Sequence, residues 1–125
     1  MHTANPMDYH AEMLNTIAEL PAYRSFAEKH LSEEERQAII DYLAEHPKAG
    51  DVMRGTGGVR KLRWGKGGRG KSGGVRVIYY FHDERLPLYL LTLFAKNEQA
   101  NLTARERNVL AALADTLVAT ALERN

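Results

Sequence analysis

Three runs rich in β-branched, aromatic and leucine residues follow one another in the second half of the chain: VRKLRW (59–64), VRVIYYFH (75–82) and LYLLTLFA (88–95). Such composition favours strands. The connections between them are ten and five residues long, and a parallel crossover needs about a dozen or more. Neighbouring strands must therefore run antiparallel, which predicts a β-meander. The flanking segments have the helical period instead. Residues 22–30 read as a short helix set off by Pro21 from NTIAEL (15–20), a stretch with strand-like alternation. Ser32 followed by Glu35 forms a capping box, Glu33, Glu34 and Glu35 suit a positive helix end, Pro47 stops the helix, and Ile39, Ile40 and Leu43 make its apolar stripe. Thr103 and Glu106 form a second capping box ahead of Val109, Leu110, Leu113, Leu117 and Val118. The expectation is an α+β fold, with an antiparallel meander accompanied by two N-terminal helices and a C-terminal helix. With 125 residues and no repeat or linker, one domain over 15–125 is expected, preceded by a candidate disordered segment, 1–14.

The absence of cysteine excludes thiolate nucleophiles, Cys-ligated zinc, iron–sulfur clusters and a disulfide framework. The near-apolar stretch 87–95 is under half of the ~20 residues a spanning helix needs. MHTANPMDYHAEML lacks a basic segment followed by an apolar one. A cytoplasmic protein that makes no use of a membrane is expected. The net charge of +1 conceals a segregation: residues 54–76 hold eight of the 17 Lys and Arg, no acid, and nine of the ten glycines. A local field of one sign attracts polyanions to one place.

Within that segment GKGGRGKS (65–72) matches the nucleotide-binding pattern G-x-x-x-x-G-K-[ST]. That pattern works when its Lys and Ser open a helix whose amides hold phosphate. Here two glycines and a strand follow, so the match is read as coincidence.

Strand alternation sets Lys61 and Arg63 on one face with Val59, and Arg60, Leu62 and Trp64 on the other. In the next strand Arg76, Ile78, Tyr80 and His82 share a face. If Lys61, Arg63 and Arg76 face the same way, three fixed cations converge, with Arg69 and Lys71 on the loop above them. Such a cluster repels itself unless an anion occupies it. A solvated basic hairpin that blunts a sheet edge, nonspecific polyanion binding and catalysis all fit this pattern. RNA cleavage proceeds without a metal when the 2′-hydroxyl attacks the adjacent phosphate, provided that fixed cations stabilise the pentacoordinate charge and a base and an acid are present. A lysine among arginines is a candidate base, and Tyr79 or Tyr80 a candidate donor or stacking residue. The five histidines are scattered, and no carboxylate or histidine cluster has metal-ligand spacing, so neither metal nor cofactor is expected.

GDVMRGTGGVRKLRWGKGGRGKSGGVRVIYYF (50–81), followed by LLTLFAKNEQANLT (90–103), resembles the HigB branch of the RelE-type toxins of bacterial toxin–antitoxin modules. The resemblance spans 15–120. It implies a compact α+β fold and a metal-independent endoribonuclease that cleaves mRNA in the ribosomal A site and arrests translation. The implied partners are the 70S ribosome with its rRNA and a cognate helix-turn-helix antitoxin, HigA-like, that neutralises the toxin. Carried over position by position, Lys61 matches the lysine assigned as general base and Arg63 the second cation of that strand. Arg76 matches the arginine that holds the scissile phosphate, and Lys96 a lysine at the end of the last strand. Arg60, Arg69, Lys71 and Tyr80 are the candidate RNA-binding residues. The sequence departs from RelE at Asn97, where RelE has an arginine proposed as general acid, and it has no tyrosine or histidine at the C-terminal catalytic position. A gyrase-inhibiting ParE-like toxin of the same superfamily, or a non-catalytic RNA-binding protein, are the alternatives that the same fold allows.

Overall fold

The computed structural model describes residues 15–65 and 74–123. The N-terminal segment 1–14, most of the glycine-rich loop with its P-loop-like motif, and Arg69 and Lys71 lie outside the described residues. In chain order the elements are β1 (Ile17–Glu19), α1 (Pro21–His30), α2 (Glu33–Glu45), β2 (Asp51–Val52), β3 (Arg60–Trp64), β4 (Val75–Tyr80), β5 (Leu88–Ala95) and α3 (Ala104–Glu123). The described chain resumes after the loop directly into β4, a strand and not the helix that a phosphate-binding loop requires.

Both predicted capping boxes are formed. Ser32 Oγ accepts from Glu35 N at 3.0 Å while Glu35 Oε1 accepts from Ser32 N at 2.9 Å. Thr103 Oγ1 accepts from Glu106 N at 3.1 Å while Glu106 Oε1 accepts from Thr103 N at 2.8 Å. Each box satisfies two amides that a helix start leaves without partners. The stripe on α3 differs from expectation at Val109, which is 60% exposed, whereas Leu110 and Ala114 are buried. Leu110, Ala114 and Leu117 follow the i, i+4, i+7 spacing of one face, and Val109 stands about 100° away from it.

The sheet order is β1-β5-β4-β3-β2. The meander β3–β4–β5 is antiparallel, and β2 adds to it antiparallel through Asp51 and Val52. β1 pairs with β5 in parallel, Ile17 opposite Leu88, so the sheet is mostly and not wholly antiparallel. About seventy residues separate these two strands, ample length for a crossover. β4 and β5 occupy the middle with helices on both faces, which explains why VRVIYY and LYLLTLFA carry apolar residues at nearly every position. Between Ile78 and Tyr79 the register shifts, so that Leu91 is the extra residue on β5. The shift lets Leu90 and Leu93 both join the core under α1 and α2 while Leu91 and Phe94 join the one under α3.

Two apolar clusters result, one on each face. Tyr23, Ala27, Ile39 and Leu43 of the helix pair pack on Leu62, Val77, Tyr79, Leu88 and Leu90. On the other face Leu102, Leu110 and Ala114 pack on Val59, Ile78, Leu91 and Phe94. Burying such side chains contributes roughly 1.5–3 kcal/mol each. The turn between β2 and β3 is closed by Thr56, whose hydroxyl donates to Met53 O at 2.7 Å and accepts from Val59 N at 3.0 Å. Gly55 and Gly57 in that turn have φ of +76° and +73°, a conformation that side chains rarely adopt.

Candidate functional site

In an antiparallel pair, residues directly opposite each other project to the same face. Arg63 stands opposite Arg76, and Lys61 opposite Ile78. Lys61, Arg63 and Arg76 therefore share one face, the α3 face, to which Ile78 belongs. Arg63 and Arg76 are about 5 Å apart at their Cα atoms and Lys61 lies about 7 Å along β3 from Arg63. Like charges set opposite each other on a sheet are destabilising.

Arg76 is 8% exposed, one of two buried polar or charged residues among those described. Burial first, and the Arg63 cation second, depress the affinity of its guanidinium for its proton. Among the described residues its one acceptor is the neighbouring Val75 O, 3.4 Å from Nη1. Among the described residues no carboxylate pairs with Lys61, Arg63, Arg76 or Lys96; the acids that form ion pairs are Glu19, Glu45, Asp83 and Glu98, each with another base. A buried, hydrogen-bond-poor guanidinium beside a second one is an anion site in charge and in donor supply.

Lys96 follows β5 immediately. Its backbone N donates to Gly74 O at 3.0 Å, which places it beside the start of β4, and its Nζ donates to Ala100 O at 3.1 Å. It thus flanks the cluster from the turn that leads into α3. Asn101, on the same turn, brings its Oδ1 to 3.5 Å from Lys61 Nζ. Sequence reasoning passed over Asn101, and the only available signal was its place in the run AKNEQANLT next to Lys96.

Other candidates lie elsewhere. Arg60 occupies the opposite face, and its Nη1 donates to Gly50 O at 2.7 Å and Lys48 O at 3.2 Å. Its charge is spent on holding the loop before β2. Tyr80 shares the α3 face but stands four residues along β4 from Arg76, about 13 Å, with its hydroxyl 3.4 Å from His82 Nδ1. Burial, then the Asp115 and Asp83 carboxylates, raise its pKa, so it stays protonated. Tyr79 points the other way and donates no proton to the cluster: its hydroxyl accepts from Gly50 N at 2.8 Å. Among the described residues no three His, Asp or Glu side chains gather as metal ligands, and no helix is long and apolar enough to cross a membrane.

A family model described as the RelE toxin of the RelE/RelB toxin–antitoxin system matches residues 22–124. Among solved structures, the E. coli toxin RelE, an arginine-to-alanine double mutant in the free state, is similar at a TM-score of 0.51 and 17% identity. The match covers 70% of this chain and 90% of that one, and at this identity it speaks for the fold. Helices on both faces of a largely antiparallel sheet and a family match that spans most of the sequence lead to one assignment: the chain belongs to the RelE toxin family.

Proposed function

We propose that the protein is a toxin of the HigB branch, a metal-independent endoribonuclease that cleaves mRNA in the ribosomal A site and is neutralised by a HigA-like helix-turn-helix antitoxin. The observation that carries this reading is the convergence of Lys61, Arg63 and Arg76 on one sheet face with no carboxylate partner among the described residues. Cleavage of this kind is attack of a 2′-oxygen on the adjacent phosphorus with departure of the 5′-oxygen, leaving a 2′,3′-cyclic phosphate. Lys61 accepts the 2′-hydroxyl proton, and the departing 5′-oxygen takes up a proton from solvent. Arg76 and Arg63 bind the non-bridging oxygens, and their two positive charges offset the charge that accumulates in the pentacoordinate state. A phosphate placed there offsets both the repulsion between the cations and the desolvation cost of the Arg76 charge, more so as its own charge grows. Lys96 adds a further cation at the rim, and Arg69 and Lys71 contribute RNA contacts from the loop. The domain that does this spans 15–125.

Induction of the protein in cells, with mapping of mRNA 5′ ends, tests the reading. Cuts within translated coding regions that vanish when translation initiation is blocked are expected. Intact coding-region transcripts in arrested cells would overturn it, and inhibition of gyrase supercoiling by the purified protein would replace it with the ParE-like alternative.

A further inference from the structure

The turn between β5 and α3 is closed by its own side chains. Lys96 Nζ donates to Ala100 O at 3.1 Å. The Gln99 amide donates to Asn101 O at 2.9 Å and to Glu106 Oε1 at 3.0 Å. Glu106 Oε1 is the same atom that accepts from Thr103 N in the capping box of α3. Asn101 Oδ1 in turn accepts from Leu102 N at 2.9 Å. With its carbonyl tied to Gln99 and its side-chain oxygen tied to Leu102 N, Asn101 has little rotational freedom left. The oxygen so fixed is the one that faces Lys61 Nζ at 3.5 Å, from forty residues further along the chain.

We propose that Asn101 is a positioning residue for Lys61, with the start of α3 as the rigid mount from which it acts. This rests on the nuclease reading above. A lysine has a long, flexible stem, and two arginine cations nearby push its ammonium away from the face where the base is needed. An acceptor on a fixed backbone draws it back. A neutral amide does this without the drawback of a carboxylate, which would pair with Lys61 and repel the incoming phosphate. The capping box of α3 thereby has a second use: it orients a side chain on β3, two strands away from β5.

The test measures single-turnover cleavage of mRNA on programmed ribosomes, together with the side-chain resonances of Lys61 in the isotope-labelled full-length protein. Asn101→Ala is expected to slow cleavage about tenfold with unchanged affinity for ribosomes, and to shift the Lys61 resonances. In a Lys61→Ala background the same substitution should cause no further loss. Ser32→Ala, which weakens a helix cap away from this turn, serves as the stability control and should leave cleavage unaltered. Equal fold losses from Asn101→Ala in both backgrounds, or Lys61 resonances indifferent to Asn101, overturn the proposal. Wild-type protein that cleaves nothing overturns the nuclease reading instead, and the catalytic role of Asn101 with it, whereas the resonances still report whether the contact exists.

Discussion

On the face covered by α1 and α2, Tyr23, Ile39, Leu43, Val77, Tyr79, Leu88 and Leu90 are shut off from solvent completely; on the α3 face the same strands carry Lys61, Arg63 and Arg76 beside Val59 and Ile78. The strands do not differ in alternation between the two sides. What differs is the number of helices available. A helix with its side chains is about 10 Å wide and strands lie about 4.8 Å apart, so one helix covers roughly two strands. Two helices close one face, whereas among the described residues α3 alone covers the other, packed on Ile78, Leu91 and Phe94 of the central strands, and leaves its β3 side open. Burial on one face supplies the stability that lets the second tolerate an unneutralised cluster of charge.

The largest expected effect separates these roles by activity. Lys61→Ala, or Arg76→Met to preserve the buried stem, should lower ribosome-dependent cleavage by about 10²–10³-fold, with a loss of stability at the half-buried Lys61 site of about 1 kcal/mol or less. Unimpaired cleavage by either variant would remove the cluster from the chemistry. The converse change is made under the helix pair: Leu43→Ala, fully buried in the wild type, should lose about 2–5 kcal/mol in denaturant unfolding. Per folded molecule, its cleavage should be unaltered.

The two capping boxes sharpen the comparison further. Ser32→Ala and Thr103→Ala should each cost about 1 kcal/mol by thermal or chemical unfolding. Only Thr103→Ala should also slow cleavage, because its box shares Glu106 Oε1 with Gln99 and so with the turn that carries Asn101. Identical kinetics for the two variants would mean that the turn keeps its shape without the cap.

The smallest effect is a control in the β4–β5 connection. Hydrogen bonds from the Arg85 side chain, then from its backbone N–H, hold the Asp83 carboxyl at about 2. Its folded value lies below the ordinary ~3.9, so its contribution is present above that pH and fades as pH falls toward 2. Arg85→Ala should move the titration of the Asp83 carboxyl up toward the ordinary range, short of it because the backbone N–H of residue 85 still donates to the carboxylate, while leaving both cleavage and the core unaltered. A pH-dependent loss of cleavage confined to this variant would show that the connection is coupled to the site.

The helix starts at Ser32 and Thr103 are legible in the sequence because a capping box is settled within four residues. The meander is legible because short connections permit few topologies. β1 shows as the alternation within residues 15–20, but its parallel pairing with β5 does not, and β2 leaves no trace, since two residues carry too little pattern. At the site, alternation alone suffices to group Lys61 with Arg63 and Arg76 with Ile78, and the register then joins the pairs. No local signal separates Arg60 from its neighbours as the arginine that anchors a loop, or marks Asn101 as the amide that meets Lys61. Both assignments depend on where distant turns come to rest.

Gly50 lies beneath the sheet, with its N–H on the Tyr79 hydroxyl and its carbonyl on Arg60. A methyl group there would come within 2.8 Å of the Tyr79 ring. This fastening pins β3 against β4 from below, so the interval between the charges above is inherited from bonds on the opposite face of the sheet. Sensitivity to mutation should therefore extend to the underside of the molecule, where a single added carbon can detune a centre it does not touch.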